Sequence, residues 1–228
     1  MGNLFSMDNK FFVFMGRVAD LIIVNVLCLI CCIPIITIGP SLTALHYVTL
    51  KMVRNEEAYI VKSFFKSFKE NFKQGVIINL IMLVVGVMLV LDMNIVRNIQ
   101  GTLYQVLFCL FLAFAILYSL VFLYIYPVLS KFYNTIKVTF LNALLMAIRH
   151  LPYTILMLAV TALPIGIFFI PSFQLQSTVI MLFILMGPAL VAFINGHFFV
   201  KIFDNYIPEE PKEEEGLSEI LTDETLER

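Results

Sequence analysis

Long stretches with almost no charged residue, each flanked by basic loops, constrain this chain more than any motif does. Residues 75–91, 98–130 and 150–200 contain no Asp, Glu, Lys or Arg, and 18–38 contains only Asp20. A soluble core cannot cover that much apolar side chain in a polypeptide of 228 residues that is 61% hydrophobic, so the bilayer must. In hydrocarbon every backbone N–H and C=O has to pair within its own segment, and the runs lack the alternating pattern of barrel strands. The expectation is an all-α, polytopic transmembrane bundle of about five spans, near 18–38, 75–91, 103–129, 151–170 and 178–200. The stretch 150–200 is twice what one crossing needs, and Pro171 to Ser177 supplies its turn.

Two segments between spans read as amphipathic helices lying in the interface, about 60–74 and 138–149. In the first, Phe64, Phe65, Phe68 and Phe72 recur at helical spacing while Lys62, Lys66, Lys69 and Lys73 take other faces. In the second, Phe140, Leu141, Leu144, Leu145 and Ile148 form the apolar stripe. Sliding Phe64 onto Phe140 also pairs Phe68 with Leu144, Phe72 with Ile148 and Lys73 with Arg149. Each segment precedes two spans, which suggests a duplicated unit appended to a distinct first helix. Residues 43–54 are expected to leave the membrane after a break at Gly39-Pro40. Pro34, Pro152 and Pro171 mark further span ends, and Gly187-Pro188 a kink or an unwound binding segment.

With five spans, alternate connections share a side. Three bases, Lys10, Arg17 and Arg97, then fall on one side and twelve on the other, including Lys51, Arg54, Lys131, Lys137, Arg149 and Lys201. The positive-inside rule predicts an N-terminus outside and a C-terminus in the cytoplasm. The first run is too long, and lacks the small-residue site, for a cleavable signal peptide, so it is expected to be retained. Residues 1–208 read as one transmembrane domain. Residues 209–228 hold nine of the 16 acids and read as a solvated acidic tail. The remaining body is basic in loops beside apolar segments, which fits anionic headgroups and not nucleic acid.

No catalytic, cofactor-binding or metal-binding constellation can be assembled, so no enzyme is expected. His46, His150 and His197 match no ligand spacing, and Cys28, Cys31, Cys32 and Cys109 read as buried apolar residues. Asp20 is an ionisable group in a span, either a same-helix partner of Arg17 or a proton-coupling carboxylate. Asn25, Asn195 and His197 either line a polar path or join helices by hydrogen bonds.

The run Arg17-x-x-Asp20-Leu21 with Asn25, Pro34, Thr37-Ile38-Gly39-Pro40, Thr43-Ala44-Leu45 and Tyr47-Val48, followed by Phe64 to Gln74, resembles the YesL-like family of bacterial membrane proteins, DUF624. The resemblance implies a Gram-positive cell membrane and a gene neighbourhood of carbohydrate importers. On that ground the expected role is an accessory component of carbohydrate uptake. It would hold an ATP-binding-cassette importer permease, or a membrane sensor, through Lys51 to Lys73 and Lys131 to Arg149. The alternative is a small transporter or channel using Asp20, Asn25 and Asn195.

Overall fold

The computed structural model describes residues 10–56, 59–97, 101–169 and 171–206. Among them are eight α-helices and no strand: α1 (Lys10–Cys31), α2 (Ile38–Val53), α3 (Ile60–Glu70), α4 (Phe72–Val96), α5 (Thr102–Lys131), α6 (Ile136–Arg149), α7 (Leu151–Ala162) and α8 (Phe173–Asp204). Short 3₁₀ segments, Ile35–Thr37 and Leu163–Phe169, precede α2 and follow α7. Five elements are long and apolar enough to cross a membrane: α1, α4, α5, α7 with its 3₁₀ extension, and α8. This is the helical bundle expected from the charge-free runs. Their outward faces carry Leu80, Val84, Met88, Leu110, Phe114, Ile155 and Met181, the surface lipid would cover. Cys28 is buried as expected, whereas Cys109 is exposed on α5, and all four cysteines are free.

The centre of the fold is α2, and here the sequence reading needs correction. Residues 43–54 do not leave the bundle: Ala44, Leu45, Val48, Thr49, Leu50 and Met52 are buried, and α2 packs against α1, α3, α4, α5 and α8. Its few polar groups disguised it. Thr43 and Thr49 donate back to Gly39 O and Leu45 O at 2.9 and 3.0 Å, so their hydroxyls need no water. Gly39-Pro40 is no break either. The chain bends earlier, at Pro34, and Pro40 sits in the first turn of α2, where its missing N–H leaves no bond unmade. Gly39 is needed for proximity: a Cβ there would lie 2.2 Å from Gly75 O on α4. Small residues permit this backbone approach.

α2 turns the chain back along α1. It ends with Glu56 N donating to Lys51 O at 3.1 Å around Asn55, whose φ of 56° is the left-handed C-cap conformation. That cap presents Asn55 Oδ1 to the Arg17 guanidinium at the start of α1. Next to it Arg54 pairs with Asp204 at the end of α8. The start of α1 and the end of α8 therefore lie toward one end of the bundle, and not at opposite ends as an odd number of passes required. Counting α2 as a return makes the parity even.

α3 and α6 are amphipathic as read. α3 buries Phe64 and exposes Lys62, Lys66 and Lys69, with Phe64 stacked on Phe68 at 6.3 Å. α6 differs: it buries the small face Thr139, Ala143, Met146 and Ala147, and leaves Leu141, Leu145 and Ile148 outward. α3 leads into α4 and α5 as α6 leads into α7 and α8, the same order of elements twice. The predicted tail, 209–228, lies outside the described residues.

Candidate functional site

α8 is interrupted by Pro188, which has no N–H for the carbonyl of Ile184 and pushes the next bond apart as well. Inside a bilayer those orphaned groups would cost several kcal/mol each. Asn25 on α1 satisfies three of them. Its Nδ2 donates to Ile184 O at 2.8 Å and Leu185 O at 2.9 Å, and its Oδ1 accepts from Ala189 N at 3.1 Å. Asn25 thus joins α1 to α8 through three hydrogen bonds to backbone. Gly187 accommodates the ring of Phe183, whose Cδ2 would lie 2.1 Å from a Cβ at position 187.

Beside Pro188, α2, α5, α7 with its 3₁₀ extension, and α8 line an open-sided cavity of about 440 Å³. Leu42, Leu45 and His46 come from α2, Tyr118, Phe122 and Tyr126 from α5, Leu158 and Thr161 from α7, and Phe183, Pro188 and Asn195 from α8. Most polar groups here are already paired. Tyr118 donates to Met82 O at 3.1 Å and Tyr126 to Asn79 Oδ1 at 3.2 Å, while the hydroxyls of Ser119 and Thr161 donate to Ala115 O and Met157 O. Asn195 Nδ2 donates to Thr161 Oγ1 at 3.0 Å.

Two atoms are left over. Among the described residues, His46 Nδ1 and Asn195 Oδ1 are the buried side-chain nitrogen and oxygen without a hydrogen-bond partner, and both residues line this cavity. Asn195 is 2% exposed and His46 is half-buried. No acid or Lys or Arg lines the cavity. Such a site can hydrogen-bond a neutral ligand but has no charge with which to hold an ion.

The other residues singled out from sequence are dispersed. Arg17 is turned to Asn55, and among the described residues it forms no ion pair with Asp20. Asp20 instead borders a shallow depression with Tyr59, Ile60, Lys62 and Phe65 of the α3 region, away from the cavity. His197 is exposed and faces Phe193 O of its own helix at 3.0 Å, and His150 meets the Tyr206 hydroxyl at 3.2 Å. Of the basic residues, Lys62, Lys66, Lys69, Lys73, Lys137 and Arg149 are exposed, whereas Lys51 lies over the Tyr47 ring at 5.2 Å. Sequence reasoning found Asn195 and missed His46, whose only signal was its place on the face that also carries Leu42 and Leu45. Among the described residues no group of three or more His, Cys, Asp or Glu is placed to hold a metal ion.

Residues 21–93, from α1 to α4, match the family model described as protein of unknown function, DUF624. No curated protein and no solved structure matches the chain. The matched segment contains Asn25, His46 and the Gly39–Gly75 contact, but not the α5, α7 and α8 walls of the cavity.

Proposed function

We propose that the protein is a membrane-embedded binding protein whose bundle receives a small neutral molecule in the cavity between α2, α5, α7 and α8, as a receptor or carrier. The observation that carries this reading is the pair of unpartnered atoms, His46 Nδ1 and Asn195 Oδ1, on one cavity. An orphaned buried polar atom costs about 1 to 3 kcal/mol, and a ligand that satisfies it returns that energy as affinity. This favours the transport-like alternative over an activity residing only on the surface, with Asn195 retained from the expected path and Asn25 and Asp20 removed. A thermal-shift screen of neutral solutes and lipids on the purified protein tests it. A ligand should raise the melting temperature of the wild type and not of Asn195→Leu. If no compound distinguished the two proteins, the reading would fail.

The orientation belongs to the same proposal. If Lys10 and Arg17 join the end of the bundle that holds Arg54, the count along the sequence becomes fourteen bases against Arg97 alone. That asymmetry favours a cell-membrane orientation with this basic end in the cytoplasm.

A second reading is favoured by the lysine row of α3. Lys62, Lys66, Lys69 and, one turn on, Lys73 are all exposed while Phe64 anchors the helix. Such a face suits an accessory subunit bound to a carbohydrate importer's permease or a membrane sensor, and equally suits anionic headgroups. A photo-reactive residue at Lys66 should crosslink a permease under the first of these and lipid alone under the second.

A further inference from the structure

The polar groups of the cavity are unevenly spent, and that constrains its occupant. Tyr118, Tyr126, Ser119 and Thr161 have given their hydroxyl protons to the protein, and Asn195 has given one of its amide protons to Thr161. The two atoms left with no partner at all are an acceptor, Asn195 Oδ1, and an imidazole nitrogen, His46 Nδ1, that donates or accepts according to tautomer. A free sugar presents hydroxyls around its whole ring, and most would be buried here against Phe122, Leu158 and Phe183 without partners. An anion or cation would meet no countercharge. The fit is to a molecule that is apolar along its body and carries one or two hydroxyl or amide groups at one end.

The route of entry points the same way. α5 and α7 both line the cavity; they are joined by the buried Tyr124–Thr154 hydrogen bond at 2.7 Å and pack little beyond it. On that side its walls are Ser119 and Phe122 of α5 and Ile165 of the 3₁₀ extension, all exposed on the apolar surface of the bundle. A mouth between two membrane helices opens to lipid.

Resting on the binding reading above, we propose that the cavity takes a neutral, hydroxyl-headed amphiphile from the bilayer. Its head donates to Asn195 Oδ1 and bonds His46 Nδ1, and its hydrocarbon lies against Phe122, Leu158 and Phe183 toward the α5–α7 mouth. The chemical class is a lipid alcohol of the diacylglycerol or isoprenoid-alcohol kind.

The protein in nanodiscs is irradiated with a photo-reactive diacylglycerol, or with the matching phosphatidic acid, and labelled peptides are mapped. A parallel sample measures binding of radiolabelled glucose. The neutral lipid should label peptides from α7 and α8 that line the cavity, and phosphatidic acid should label them at least about tenfold less, since its charge is unmatched there. Asn195→Leu should reduce the neutral labelling about tenfold, the consequence of one lost hydrogen bond in a dry site. Should Asn195→Leu fail to fold, Ser119→Trp at the exposed mouth should reduce labelling as strongly without touching the polar pair. Equal labelling by both lipids, or neutral labelling indifferent to both substitutions, overturns the lipid assignment. Glucose binding lost in Asn195→Leu would overturn it too while leaving the cavity a binding site. Absence of any variant-sensitive ligand would bring down the binding reading itself.

Discussion

Asn25 on α1 accepts from the backbone N–H of Ala189 on α8 at 3.1 Å, and so acts as a hydrogen-bonding partner for the turn of α8 that contains Pro188. The side chain is fully buried, and its amide protons reach Ile184 O and Leu185 O on the N-terminal side of the proline. One polar residue of the first helix thereby fixes how α1 docks on the last.

Asn25→Ala should accordingly destabilise the protein by about 2 kcal/mol, from three bonds worth roughly 0.6 kcal/mol each in membrane bundles. The diagnostic measurement is a double-mutant cycle on thermal unfolding in detergent. With Pro188→Ala, the ladder of α8 can supply its own bonds, so the Asn25→Ala penalty should shrink to less than half. Equal penalties in both backgrounds would show that Asn25 matters for some other reason.

Gly39 supports a sharper comparison. Its Cβ would stand 2.2 Å from Gly75 O and 2.7 Å from Asn79 Cβ, atoms of backbone and of a side chain held by Ile35 O at 2.9 Å. Gly39→Ala should therefore cost more than about 2 kcal/mol or prevent folding. Gly16→Ala, which would meet nothing within 4 Å, should be neutral or slightly stabilising. Yield and melting temperature of the two variants, expressed side by side, check this.

Much of the architecture was legible because the bilayer imposes a strong rule on sequence. α4, α5 and α8 extend their predicted spans by a few residues at each end, and α3 presents Phe64 and its lysines as periodicity required. What failed was α2. It is 16 residues long, about 24 Å, and has five Ser, Thr, His and Tyr residues, so neither length nor composition announced a buried helix. Its hydroxyls are absorbed by its own backbone, a compensation visible only once the chain is folded. The charge count inherited that omission, because it alternated sides over five crossings while the folded chain also runs back along α1 through α2. The cavity was illegible for a related reason. His46 and Asn195 are 149 positions apart, and nothing in their spacing couples them before α2 is placed against α8.

That the start of α1 and the end of α8 lie toward one end of the bundle can be checked directly in cells. In a background with Cys28, Cys31, Cys32 and Cys109 replaced by Ala, single cysteines are introduced at Ser6, at Arg97 and at Ser218. A membrane-impermeant maleimide should label Arg97→Cys in intact cells, and Ser6→Cys and Ser218→Cys only after permeabilisation. Labelling of Ser6→Cys in intact cells would restore the odd number of passes and remove the Arg17–Asn55 contact as a guide to topology.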